Sequence, residues 1–149
     1  DLAWSRGLGD VYKRQASGAG MSDPIWVPLT AVYVIHDRQI ARHGGASGLR
    51  DKTLLEAAVV RPENKFSYEQ ADLFACAAAY AFGIAKAHAF VDGNKRTAFV
   101  TSVTFLRLNG YQFTTSPTDG LRFMEDIASG EVTELQFASW LQAGSHKLL

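Results

Sequence analysis

From Pro28 onward, apolar residues recur at helical spacing and are interrupted by glycine, proline and Asn-Gly pairs. Leu29, Val32, Tyr33, Ile35, His36 and Ile40 form the first stripe, with Pro28 near its first turn and Thr30 as the candidate cap. Gly44-Gly45 stops it, and Ala46-Ser47-Gly48 continues as loop. Asp51 predicts the cap of a second helix, with Leu54, Leu55, Ala58 and Val59 on one face. That helix is expected to end at Arg61-Pro62, because the residue before proline avoids the helical region. Pro62–Gln70, polar apart from Phe66 and Tyr68, reads as a loop or short hairpin. Ala71–Ala87 is the central helix, almost wholly apolar between Leu73 and Ala85. A fourth helix runs from Asn94 to Leu108, with Phe99, Val103 and Leu106 at helical spacing and Asn109-Gly110 as its stop. Thr114–Pro117 is a turn leading into Thr118–Ala128; Ser129-Gly130 breaks that element, and Thr133–Ala143 is the last. No alternating strand pattern or internal repeat appears. The pattern predicts an all-α bundle of about six helices, with a short polar loop between the two central ones.

Residues 1–20 differ from the rest, with four glycines, scattered charges and no period. The string Gly9–Gln15 resembles translated adapter readthrough, so Met21 is the expected natural start. Residues 1–20 are expected to be a non-native leader or a disordered arm, and 21–149 the domain. The length suits one core, and 47% hydrophobic against 20% charged residues excludes a disordered chain. Fifteen basic residues balance fifteen acidic ones, which gives no electrostatic reason to expect nucleic acid or an anionic membrane as partner. Cys76 is the only cysteine, so there is no disulfide framework. Leu73–Ala85 is too short to span a bilayer, and no signal peptide is visible, so a cytoplasmic location is expected.

The chemistry concentrates in His88–Arg96, which reads His-Ala-Phe-Val-Asp-Gly-Asn-Lys-Arg. A helix N-terminus offers unpaired N–H groups and the positive end of a dipole, so it suits anions. Gly93 lets a turn bring its amides close to a phosphate, and Lys95 and Arg96 add positive charge. Asp92 can hold Mg2+, which prefers carboxylate and phosphate oxygens, and His88 can take a proton from a hydroxyl. Each residue also has a plainer role. His88 can end a helix, Asp92 can cap the next, Phe90 can pin the loop to the core, and Lys95 and Arg96 can be a solvated patch. Cations at a helix start oppose its dipole, however, and a bound anion would compensate.

His-x-Phe-x-Asp-Gly-Asn-Lys-Arg, with seven of nine positions specified, resembles the signature of the Doc branch of the Fic/Doc family, whose founding members are toxins of toxin–antitoxin pairs. Ile35-His36-Asp37, Arg42–Gly45, Asp72-Leu73-Phe74 and Phe105-Leu106-x-x-Asn109-Gly110 extend the likeness over roughly Leu29–Phe113. The resemblance implies His88 as general base, Asp92 as Mg2+ ligand, and Gly93, Asn94, Lys95 and Arg96 as the nucleotide and phosphate site. It also implies Lys86 as a phosphate contact, in place of the more usual arginine. Pro62–Gln70 resembles the position of the flap that aligns the target segment.

Departures from the wider Fic pattern bear on the chemistry. Lys95 stands at the second glycine of the adenylyl-transferase motif, and Phe99 at its last arginine. The resemblance therefore implies ATP- and Mg2+-dependent phosphorylation of a protein hydroxyl, in the family a threonine of elongation factor Tu, and not transfer of AMP. No self-inhibitory Ser/Thr-x-x-x-Glu-Gly/Asn helix is visible: the nearest pair, Glu63-Asn64, has Val59 four residues before the glutamate. Restraint in trans by a Phd-like antitoxin is expected instead. The competing readings are a Fic-type AMP transferase and a catalytically idle interaction module of the same fold.

Overall fold

The apolar stripes close around one central helix. In the computed structural model, which describes residues 23–148, the chain runs α1 (Leu29–His43), α2 (Lys52–Glu69), α3 (Leu73–Ala87), α4 (Asn94–Leu108), β1 (Tyr111–Phe113), α5 (Pro117–Ser129), α6 (Glu134–Ala143) and β2 (Ser145–Lys147). Six helices among the described residues agree with the predicted bundle. The expected leader at 1–20 lies outside the described residues.

Helix α3 is the axis. Asp72 caps it by accepting a hydrogen bond from the Ala75 amide at 2.8 Å, and Cys76–Phe82 are all buried. Its alanines and Gly83 let neighbouring backbones approach: a Cβ on Gly83 would stand 3.2 Å from the Ala58 carbonyl of α2. Burial pushes the Cys76 thiol up to about 12, so this cysteine is an inert core group. The Tyr80 hydroxyl accepts from the Val27 amide at 2.9 Å, which ties the segment before α1 to the axis. Asn109, at the end of α4, accepts from the Ile25 amide and donates to the Ile25 carbonyl. Phe113, Phe123, Phe137 and Trp140 form an aromatic cluster that joins α5 and α6 to β1.

Three sequence expectations need correction. Helix α2 does not end at Pro62 but continues to Glu69, so Pro62–Gln70 is neither hairpin nor flap. Proline in a helix interior costs about 3 kcal/mol. Contacts on both sides of it oppose that cost. Pro62 is itself buried, Arg61 and Lys65 both grip Glu134 of α6, and Phe66 packs edge-on against Trp26 at 5.8 Å. Second, Thr30 does not cap α1: Pro28 occupies the N-cap position, and no side chain caps it. Third, β1 and β2 form an antiparallel pair, Tyr111 opposite Lys147 and Phe113 opposite Ser145, each too short to show alternation in sequence.

The α2–α6 clamp is bidentate: both Arg61 nitrogens meet the Glu134 carboxylate, at 2.5 and 3.0 Å, and the Lys65 ammonium lies 2.9 Å away. Burial raises the Glu134 pKa, but the hydrogen bonds and charges of Arg61 and Lys65 outweigh it and hold the carboxyl below its ordinary 4.5. A depressed native pKa contributes stability above the unfolded value and loses it as pH falls through the native one. Glu134→Gln is therefore expected to cost about 1 kcal/mol at pH 7 in urea unfolding. The gap from the native chain should close as pH falls below 4.5. A gap undiminished at about pH 3 would show that packing, not charge, makes the clamp.

Candidate active site

The segment between α3 and α4 is stitched to the protein by its backbone. His88 ends α3 in the left-handed region, at φ 48° and ψ 41°. That conformation costs a non-glycine residue about 1–2 kcal/mol. Its carbonyl accepts from the Arg50 guanidinium at 2.8 Å, and the Ala89 carbonyl accepts from the Arg50 and Asp51 amides at 2.6 and 3.0 Å. The Val91 amide donates to the Gly48 carbonyl at 3.0 Å, and Leu49 and Phe90 form an antiparallel bridge. The strand-like element beside the motif is thus Gly48–Arg50, in the loop between α1 and α2.

Phe90 is buried at 1% exposure, with Tyr33 edge-on and the His36 ring stacked 3.8 Å from it. Its amide donates to the Asn94 side-chain oxygen at 3.0 Å, and its carbonyl accepts from the Asn94 side-chain nitrogen at 2.9 Å. The Asn94 side chain therefore serves the geometry of the loop, which leaves only its backbone amide for a phosphate. Both polar atoms of its amide close the loop, because the turn leaves both backbone groups of Phe90 without other partners. Gly93 follows at φ 77°, where a Cβ would press on Ile40 at 3.1 Å. Glycine is needed there both for the backbone angle and for the close approach of α1.

What remains free is the chemistry. His88, Asp92 and Lys95 are exposed, and Arg96 is half-buried. No acidic group lies within 4.0 Å of the Lys95 or Arg96 nitrogens among the described residues. Helix α4 starts at Gly93 with no side-chain cap, so the Asn94, Lys95 and Arg96 amides open the positive end of its dipole. The plainer role of Asp92 as a helix cap is not met: its Oδ1 accepts from the Gly93 amide at 2.8 Å. Its Oδ2 faces Gly45, where a Cβ would stand only 2.7 Å away. Among the described residues no group of three or more His, Cys, Asp or Glu side chains converges, so an all-protein metal cage is absent. A single exposed carboxylate beside an uncapped helix N-terminus fits Mg2+, which keeps several waters and shares phosphate oxygens.

Lys86 is not brought to this loop. Its ammonium lies over the Phe82 ring, 5.3 Å from the centroid. It lines an open groove with Leu54, Ala57, Arg61 and Glu134, and no residue of His88–Arg96 lines that groove. Phe99 packs into the aromatic cluster near Phe113 and Trp140 and lies so close to α5 that a Cβ on Gly120 would stand 3.0 Å from its ring. The site contacts that sequence reasoning missed are Arg50, on the neighbouring loop, and His36, on α1.

Asn94→Ala is expected to lower unfolding free energy by about 1–3 kcal/mol without any ligand, because it orphans both backbone groups of Phe90. Denaturant unfolding of the ligand-free protein measures it. An unchanged midpoint would return the Asn94 amide to ligand binding.

Comparison with known proteins agrees with this geometry. The family model described as the Fic/DOC family matches residues 26–106. The chain is 42% identical over 100 residues to Protein kinase doc of Escherichia phage P1, covering 66% of this chain and 75% of that protein. It is 46% identical over 71 residues to Toxin Doc of Mycolicibacterium smegmatis, covering 46% of this chain and 55% of that protein, little more than half its length. The family match spans α1 to α3, nearly all of α4 and the loop between α3 and α4, and the chain belongs to the Fic/DOC family, in its Doc branch.

Proposed function

We propose that the chain is a Doc-like toxin that acts as a protein kinase, moving the γ-phosphoryl group of ATP to a serine or threonine hydroxyl of a translation factor resembling elongation factor Tu. The observation that carries this reading is the uncapped N-terminus of α4, with His88, Asp92 and Lys95 exposed beside it and Arg96 half-buried in its first turn. The α4 amides, Lys95 and Arg96 bind and orient the phosphates. His88 accepts the hydroxyl proton as the hydroxyl oxygen bonds to the γ-phosphorus; the bond from that phosphorus to the bridging oxygen breaks, and ADP leaves. Asp92 would hold Mg2+, which supplies neutralisation of phosphate charge when bound. Gly48–Arg50, already paired with the motif through one edge, is the element suited to align a target segment by backbone hydrogen bonds.

The γ-phosphoryl reading is favoured over AMP transfer because Phe99 is packed against α5, leaving no second arginine at that turn of α4 to clamp a phosphate. Lys95 likewise fills the place of a glycine. The names of the two relatives, a protein kinase and a toxin, support the same choice. Restraint is expected from an antitoxin in trans, and the site of action from the cytoplasm, where translation factors are. No helix among the described residues is long and apolar enough to cross a membrane.

Incubation of an elongation factor Tu with the chain, Mg2+ and ATP labelled at the γ or the α position tests the proposal. Transfer of γ label is expected, falling at least about 100-fold in His88→Ala. Transfer of α label would replace the kinase by an AMP transferase. Undiminished turnover in His88→Ala would remove that residue as the base. Asp92→Ala is expected to raise the Mg2+ concentration needed for half-maximal nucleotide binding by about tenfold, read by titration calorimetry. An unchanged requirement would rule out Asp92 as the ligand.

A further inference from the structure

One buried side chain outside the motif holds its metal-binding turn. His36 lies on α1 at 2% exposure, with its ring flat on Phe90 at 3.8 Å and 6°. Its Nε2 lies 2.8 Å from the Asp92 carbonyl oxygen, 56 residues away in the chain. A carbonyl only accepts, so Nε2 carries the proton and donates. Nδ1 faces the Asp37 carboxylate at 3.8 Å, beyond hydrogen-bond range. The Asp92–Gly93 peptide is planar, and both its ends are tied: the carbonyl accepts from His36, and the Gly93 amide donates to Asp92 Oδ1. Rotating that plane would swing the Gly93 amide away from the carboxylate it orients. The same imidazole would stand 3.5 Å from a Cβ on Gly93, so it also fills the space behind the start of α4.

A buried histidine on an apolar helix face is most simply core filler. Filler would not require a donor aimed at the one peptide that sets both the Asp92 carboxylate and the first turn of α4. We infer that His36 is a positioning residue: through the Asp92–Gly93 peptide it fixes the Asp92 carboxylate and the α4 N-terminus for bound Mg2+ and phosphate. The ligand half of this inference rests on the phosphoryl-transfer reading above. The loop half rests on geometry alone.

Two substitutions separate the donor from the ring. His36→Phe keeps a ring against Phe90 and loses the donor, whereas His36→Gln places an amide N–H near the position of Nε2 and loses the ring. His36→Phe is expected to weaken Mg2+–ATP binding about tenfold by calorimetry and His36→Gln less than about threefold. Amide hydrogen exchange in the ligand-free protein should accelerate about tenfold in 88–96 for His36→Phe and stay near native for His36→Gln. Equal effects of the two variants, or faster exchange spread evenly over α1, α3 and α4, would make His36 a packing residue and overturn the inference. If His36→Phe does not fold, the native chain decides through its imidazole nitrogen shifts. A protonated Nε2 supports the donor, and an unprotonated one overturns it. A native chain that binds no Mg2+–ATP overturns the phosphoryl-transfer reading and the ligand half together, while exchange and nitrogen shifts still judge the loop half.

Discussion

The burial of Phe90 is the constraint on which the site depends. Removing such a ring from water is worth about 1.5–3 kcal/mol, but its larger effect is geometric. The ring lies between His36 and Tyr33 of α1, which draws its backbone into the protein and creates two polar groups that need partners. Asn94 supplies both, from the first turn of the helix that the loop introduces. Asn109 does the same for Ile25 at the other end of α4, so one helix is anchored at each end by an asparagine amide closing on a backbone.

The turn divides labour between backbone and side chain. Carbonyls of His88, Ala89 and Asp92 and amides of Phe90, Val91 and Gly93 are engaged by Arg50, Asp51, Gly48, Asn94, His36 and the Asp92 carboxylate. With its backbone held so fully, a turn containing a left-handed histidine can persist. The imidazole of His88, the second oxygen of Asp92 beside Gly45, and the cations of Lys95 and Arg96 are left without hydrogen-bond partners among the described residues. Preorganisation of that kind is what a transfer reaction requires, since charge that is already aimed need not be reorganised.

Phe99 shows how packing claims a position beside the motif. Where the wider Fic pattern has its last arginine, here a ring belongs to the interface of α4 with α5. Gly120 is the matching concession on α5, since even one methyl group there would meet the ring. The substitution is therefore part of the core of the C-terminal half and cannot be read as a change to the site alone.

Helix count, the axial α3 and the position of the motif loop were legible in the sequence, because stripes at period 3.6 and breakers such as Asn109-Gly110 are local properties. The identities of His88, Asp92, Lys95 and Arg96 were legible too, since a nine-residue motif keeps its residues close however the rest folds. Contacts between distant segments were not. Pro62 looked like a helix end because its local cost is visible, while the grip of Arg61 and Lys65 on Glu134 lies more than sixty residues away in the chain. Lys86 looked like a site residue because the family resemblance puts an arginine at its place, but its ammonium lies over Phe82 and lines a groove that no residue of His88–Arg96 shares. The Asn94 side chain is taken up by the Phe90 backbone, and His36, which looked like one more position in a stripe, became a strut for Asp92. The chain by itself determined which elements form and which groups carry charge. Only tertiary packing decided which polar atoms are consumed in holding the turn, because that depends on which backbone groups burial leaves in need of a partner.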